Sequence, residues 1–331
     1  MEAFEFGGKA AGAGGDGPWG GPTKLDPGRI DCMTIILQEV GGALERGEIS
    51  ALQAVTIAVQ IMEDEPLFNA GRGSVLDAQG DISMDASIMN GSDGAAGACA
   101  GLKNTKHPIA LARHLLDNGW PVIMIGEGAE EVGRKAELEM VEGDWLKTDL
   151  RRAQWSKWQA TNDRPGSTDE DDNALSAILD HDSEIERAPA GTVGAVALDV
   201  DGEMAAATSS GGMTGKPPGR LGDSCLIGAG TWADRRVAIS CTGIGEAYIR
   251  TAAARRFSDL YELTDMTLAD VGDRVLEEVA PLGGRGGLIA LNSHGEFILP
   301  FHTTLMYRGV WANGRITTDI GPDSTSEKGK S

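Results

Sequence analysis

One junction constrains this chain more than any other feature. From about residue 161 to 190 the sequence includes TNDRPGSTDEDDN and runs into HDSEIERAPAG; it is acidic, polar and aperiodic, the composition of an exposed, mobile linker. Directly after it, TVGAVALDV and EMAAATSS read as two strands joined at a DGE turn. A linker between two domains is an odd thing to find ending on the first residue of a core strand. A cleavage point is natural there, and the bond that fits is Gly191-Thr192.

The remainder reads as a layered α/β protein whose 331 residues could make one large domain or two small ones. Hydrophobic residues at 41% suffice for a sizeable core, and 47 glycines without a collagen period imply many tight turns. Residues 31–64 have helical periodicity, with Ser50 and Gln53 as a capping box and Leu52, Val55, Val59 and Met62 on one face. DAQGD is a hairpin turn, and Pro108 to Asn118 is a short helix with Gly119 past its end. PVIMIG (121–126) reads as a buried strand before a helix near 128–139. Composition shifts near 143, which extends the mobile acidic segment to about 143–191. Later, VAISC (237–241) is a strand feeding a helix over about 246–264. Thr267 and Asp270 cap another helix to about Ala280, and GGLIALN with EFILPF forms a last hairpin.

The net charge of −21 argues against nucleic acid and against an anionic membrane surface, since both need clustered basic residues. Arginine outnumbers lysine roughly two to one. Such an acidic excess suits adaptation to high salt, and equally an ordinary acidic soluble protein. Cys32, Cys99, Cys225 and Cys241 form no CxxC pair, so free thiols in a reducing compartment are expected. The opening MEAFEFGGKAAGAGG has no signal-peptide pattern, and no apolar run is long enough to span a bilayer. A cytoplasmic location follows as an expectation.

Familiar catalytic motifs fail. His107, His114, His181, His294 and His302 are too scattered for a metal cluster, and neither HExxH nor GxSxG occurs. SGGMTGKP departs from a P-loop at Ser210 and Pro217, and TGIGEAY puts Tyr248 where a dinucleotide motif needs its third glycine. What remains is GTVGAVALDVDG, ATSSGGMTGKPPGRLGDS and SCTGIGE. A threonine at a new N-terminus carries a hydroxyl and an α-amine of reference pKa about 7.7–8.0, which can serve as its own base. Thr192 is therefore the candidate nucleophile. Gly243, between a strand and a helix, can offer its N–H beside the Thr242 hydroxyl as an oxyanion hole. Arg220 can grip a carboxylate through two parallel hydrogen bonds, and Asp223 can receive an ammonium. Together they suit the two charged groups of an amino acid.

These segments, with FNAGRGSVL, resemble the plant-type asparaginase/isoaspartyl peptidase family of the N-terminal nucleophile hydrolases, over about residues 35–130 and 190–312. The resemblance implies a four-layer αββα sandwich and self-cleavage into an α chain (1–191) and a β chain (192–331). It further implies an (αβ)2 homo-oligomer, no organic cofactor, and a sodium ion held by backbone carbonyls of the loop before Asn69. By position, Asn69 matches a residue that orients the nucleophile, and Ser210 stands where the family usually has a second threonine. The substrate implied is L-asparagine or a β-aspartyl peptide. The family's first strand normally leads into a histidine and a run of glycines; AFEFGGKAAGAGG has no histidine. If that strand is lost, the alternative is an uncleaved, silent relative that only binds amino acids or oligomerises.

Overall fold

The computed structural model describes residues 2–7, 27–162, 191–303 and 305–321. Its strands are β1 (Glu2–Gly7), β2 (Met84–Asn90), β3 (Ala96–Leu102), β4 (Ile123–Ile125), β5 (Val193–Leu198), β6 (Met204–Ser210), β7 (Thr231–Ala233), β8 (Val237–Gly243), β9 (Gly286–Asn292), β10 (Phe297–Ile298), β11 (Tyr307–Ala312) and β12 (Arg315–Asp319). Its helices are α1 (Pro27–Ile36), α2 (Gly42–Glu45), α3 (Ala51–Asp64), α4 (Pro108–Asn118), α5 (Gly126–Lys135), α6 (Gly143–Leu146), α7 (Asp149–Asn162), α8 (Gly245–Thr251), α9 (Ala253–Leu263) and α10 (Leu268–Val279). The fold is mixed α/β. One sheet has eight strands in the order β12-β11-β1-β5-β6-β2-β3-β4, the other four in the order β10-β9-β8-β7.

Strand alternation decides what each sheet face does. Along β5, Val193, Ala195 and Ala197 join a core with α3 and α4, whereas Val196 and Leu198 meet Ile289 and Leu291 of β9. Along β8, Val237, Ile239 and Cys241 pack beneath α9 and α10, and Ala238 turns toward the first sheet. Each fully buried Val, Leu or Ile contributes about 1.5–3 kcal/mol, so these alternating positions pin the register. Polar residues on the inner faces are paired: Thr208 and Ser240 bond across the sheets at 2.7 Å, and Ser87 reaches Thr231 at 2.8 Å.

The expected capping boxes are present at Ser50 with Gln53 and at Thr267 with Asp270. Four expectations change. The segment carrying PVIMIG forms β4, but among the described residues that strand is the sheet's outer edge, pairs only with β3 and leaves Ile123 and Ile125 exposed. The segment from 143 to 162 is helical rather than linker. Leu146 and Arg151 are buried, the Trp155 indole donates to the Asp77 carbonyl at 2.8 Å, and Arg72 stacks on Trp145. The helix expected over 246–264 breaks at Ala252, whose φ is +49°, because the next amides, Ala254 and Arg255, bond to the Ala229 and Gly228 carbonyls. Finally, Glu2–Gly7 is not lost: it forms an interior strand, third from one edge, paired in parallel with β11 and β5. The acidic stretch 163–190 lies outside the described residues, as do the glycines following β1.

Candidate active site

Thr192 immediately precedes β5. The register sets Val193 opposite Ser209, so Thr192 falls opposite Ser210 at the end of β6. Alternation turns both toward the second sheet, and the Thr192 Oγ1 donates to Ser210 Oγ at 3.1 Å in a buried setting. Ser210 Oγ also accepts from the Gly212 N–H at 2.9 Å. Asn69 is wholly buried and fastens that same turn: its Nδ2 donates to the Gly212 carbonyl at 2.8 Å, and its own carbonyl accepts from Gly211 at 2.9 Å. Its Oδ1 is committed to the Val75 N–H at 2.9 Å. Asn69 thus acts on the Gly211–Gly212 turn beneath Ser210.

The second group arrives through β2. Asp85 pairs across the ladder with Ser210, and its carboxylate accepts from Gly101 at 3.0 Å and Gly222 at 3.5 Å. The next residue is Asp223, which opens a short 3-10 turn and is buried. Its Oδ2 has no hydrogen-bond partner among the described residues. Burial pushes this carboxyl up to about 7, against the pull of its own backbone N–H and the nearby Arg220 charge. An orphaned buried carboxylate oxygen is costly, and it is open to a donor or cation from outside the chain.

Arg220 is less free than its sequence implies. Its Nε and Nη2 each donate to Glu246 at 2.7 Å, a carboxylate from the first turn of α8. Burial alone would raise the Glu246 carboxyl; the hydrogen bonds and charge of Arg220 outweigh it and hold that group low. Nη1 instead faces Gly222 and Gly212, 3.0 Å and 3.4 Å from where a Cβ would sit on each. Arg220 therefore turns Nη1 toward the nucleophile's turn, with its other edge already anchored.

Thr242 and Gly243 end β8, opposite Gly287 and Gly286 of β9. Thr242 is buried and shares the inward face with Ser240. Gly243 has φ +150°, and a Cβ there would run into the Arg285 carbonyl and lie 2.8 Å from the Tyr248 ring. Only glycine lets the strand turn into α8 at this point. Gly245 closes the circle, since a Cβ on it would lie 2.8 Å from the Asp223 nitrogen and 2.9 Å from Oδ1. The contacts thus run Thr192, Ser210, Asp85, Gly222, Asp223 and Gly245, with Asn69 beneath the Gly211–Gly212 turn, Arg220 Nη1 facing it, and Thr242 and Gly243 at the end of β8 just before Gly245. Sequence reading missed Asp85, Lys216, Glu246 and Gly245. The GE of TGIGE was the available signal for the last two.

A family model described as asparaginase matches residues 23–320. The chain belongs to the asparaginase family. Among its relatives, an isoaspartyl peptidase of Escherichia coli (strain K12) is 43% identical over 296 residues, covering 88% of each chain. A plant-type L-asparaginase of Pyrobaculum calidifontis is 35% identical, covering 93% of this chain and 98% of the other. An isoaspartyl peptidase/L-asparaginase of Xenopus laevis is 37% identical over 78% of each. Within this asparaginase-family chain the histidines stay apart: His107 stands by Glu63 and Asp64, His114 by Asn118, and His302 by the Gly284 carbonyl. His181 lies outside the described residues. Among the described residues no group of three or more His, Cys, Asp or Glu side chains could hold a metal.

The loop before Asn69 offers carbonyls instead. Those of Pro66 and Phe68 converge on the bare face of Gly73, where a Cβ would lie 2.5 Å and 2.7 Å from them. That crowding, at φ +109°, is why glycine is required at 73. The Leu67 carbonyl is already taken by Arg29 and Arg151.

Proposed function

We propose that this chain is a self-cleaving amidohydrolase with Thr192 as nucleophile, acting on L-asparagine, β-aspartyl peptides or both. The observation that carries the reading is the 3.1 Å hydrogen bond between Thr192 and Ser210 at the head of a core strand, one residue after Gly191. The names borne by the relatives agree with it. The packing of two facing sheets with helices on their outer sides supports a four-layer αββα sandwich of the N-terminal nucleophile type.

In the precursor, the Thr192 hydroxyl attacks the Gly191 carbonyl and the C–N bond breaks, which forms an ester and frees the Thr192 α-amine; water then hydrolyses the ester, releasing the Gly191 carboxylate and restoring the hydroxyl. In the mature enzyme that amine takes the hydroxyl proton as Oγ1 attacks the side-chain carbonyl of the substrate. The Thr242 hydroxyl and Gly243 N–H receive the oxyanion. The amine returns its proton to the leaving nitrogen, and a β-aspartyl ester forms on Thr192. Water, deprotonated by the same amine, then releases aspartate. Asp223 binds the substrate ammonium and Arg220 Nη1 its α-carboxylate, while Glu246 holds the guanidinium in place. Ser210 and Asn69 orient the nucleophile through the Gly211–Gly212 turn. The family resemblance implies a sodium ion on backbone carbonyls of the loop before Asn69, where it would stiffen the loop carrying that residue. No organic cofactor is needed, and a homo-oligomer of cleaved chains, (αβ)2, is the proposed assembly. The pairing of Glu2–Gly7 with β11 and β5 favours the enzyme over the silent-relative alternative.

Aspartate release from asparagine and from β-aspartyl dipeptides, followed for the wild type and Thr192→Ala, tests the reaction. Turnover by the wild type and none by the variant is expected; an active Thr192→Ala would sink the assignment.

A further inference from the structure

The lysine of the SGGMTGKP run has no part in the reaction as written. Lys216 is only 3% exposed, and its Nζ donates to two backbone carbonyls, Ser83 at 2.6 Å and Gly211 at 2.9 Å. Those carbonyls mark a fork. β2 and β6 stay paired as far as Asp85 opposite Ser210, and then they separate. Past the fork, the Gly211 N–H goes to the Asn69 carbonyl and the Gly212 N–H turns back onto Ser210 Oγ, each at 2.9 Å. The ammonium sits between the parted strands, 2.8 Å from where a Cβ on Gly212 would lie.

A buried ammonium is an expensive way to fill space. Burial pushes its pKa down; the Asp85 carboxylate is the main group opposing that, with Asp77 and Cys225 adding and Arg220 working against it. Methionine has similar bulk without the cost. What methionine lacks is donors for two carbonyls that the fork leaves without ladder partners.

We propose that Lys216 is a positioning residue for the hydrolysis, its ammonium bracing the fork at Ser83 and Gly211 and so fixing the turn that aims the Ser210 hydroxyl at Thr192. The proposal rests on Thr192 being the nucleophile. Lys216 reaches no reacting atom; it acts through Gly211, Gly212 and Ser210 in sequence. Substrate charges are met elsewhere, by Arg220 and Asp223, so the lysine bears on the chemical step and not on binding.

Full-length Lys216→Met and Lys216→Gln, matured beside the wild type, test this by steady-state kinetics and by hydrogen exchange of the segment 204–215. Because a displacement of about 1 Å can cost on the order of a hundredfold in rate, Lys216→Met should lose about tenfold or more in kcat with KM within about twofold. Lys216→Gln, which keeps N–H donors without the charge, should fall between. Exchange at Gly211 and Gly212 should quicken in both. A folded variant with wild-type kcat, a KM that rises in step with the loss, or unchanged exchange overturns the proposal. Failure of both variants to fold also overturns it, by assigning Lys216 to stability alone. An inactive wild type counts against the nucleophile instead, and the exchange measurement then judges the fork.

Discussion

Asp223 carries a carboxylate to a place that charges avoid. Its raised pKa of about 7 follows mainly from burial, and it makes the same residue useful and destabilising. In its proposed role as receptor for the substrate ammonium it must be ionised, so KM should climb as pH falls through about 7, and Asp223→Asn should flatten that profile at a high KM. The stability effect has the opposite sense. With a folded pKa above the unfolded one, the native state holds its proton more tightly, so stability is fullest below the ordinary aspartate range and declines as pH rises toward 7. Thermal melts of Asp223→Asn should therefore exceed the wild type at pH 8, with the gap closing toward pH 4. A variant less stable than wild type at pH 8 would mean that Asp223 is paired in the native protein. At this scale the proposed site was partly legible: Thr192, Arg220, Asp223 and Thr242 stand out in the sequence by chemistry and neighbours. Glu246 and Lys216 did not, because a lone charged side chain looks alike whether it is solvated or buried against a partner.

Elements set where those residues point. The end of β8 delivers Thr242 and then bends into α8 through Gly243, where a side chain would collide with the Arg285 carbonyl. Gly243→Ala should displace the proposed oxyanion donor and lower kcat by on the order of a hundredfold or more, as removal of one such donor does. Stopped or steady-state assays on the folded variant measure this, and wild-type turnover would remove Gly243 from the mechanism. Across the sheets, the Thr208–Ser240 bond ties β6 to β8 two residues short of Ser210 and Thr242. Thr208→Val should cost about 1–3 kcal/mol by urea unfolding, since it strands a buried partner. An unchanged midpoint would mean that the hydroxyls find other partners. Elements with strong periodicity and caps, such as α3, α10 and the β5–β6 hairpin, were readable in advance. The exposure of β4 was not, because an apolar run does not say whether its strand ends up central or at an edge. Nor was α7, whose polar sequence is held by Trp155 on the distant Asp77 hairpin.

The whole molecule explains why cleavage need not release anything. In the eight-stranded sheet, β1 of the first segment lies between β11 and β5 of the second, and β6 pairs with β2. Fragments 1–191 and 192–331 are thus interleaved. They should co-elute as one species on native size exclusion and separate only in denaturant; spontaneous dissociation would contradict this sheet order. The interleaving bears on the proposed cut at 191: β5 would hold the segment after it, while β1 and β2 keep the first segment in the same sheet. The most direct test of the central claim is intact mass with N-terminal sequencing after expression and maturation, for the wild type and for Thr192→Ala. The account predicts two wild-type fragments whose masses sum to the precursor plus one water, the smaller beginning Thr-Val-Gly-Ala-Val, and a single uncut variant. A full-length wild type that still releases aspartate, or a cut Thr192→Ala chain, would contradict it.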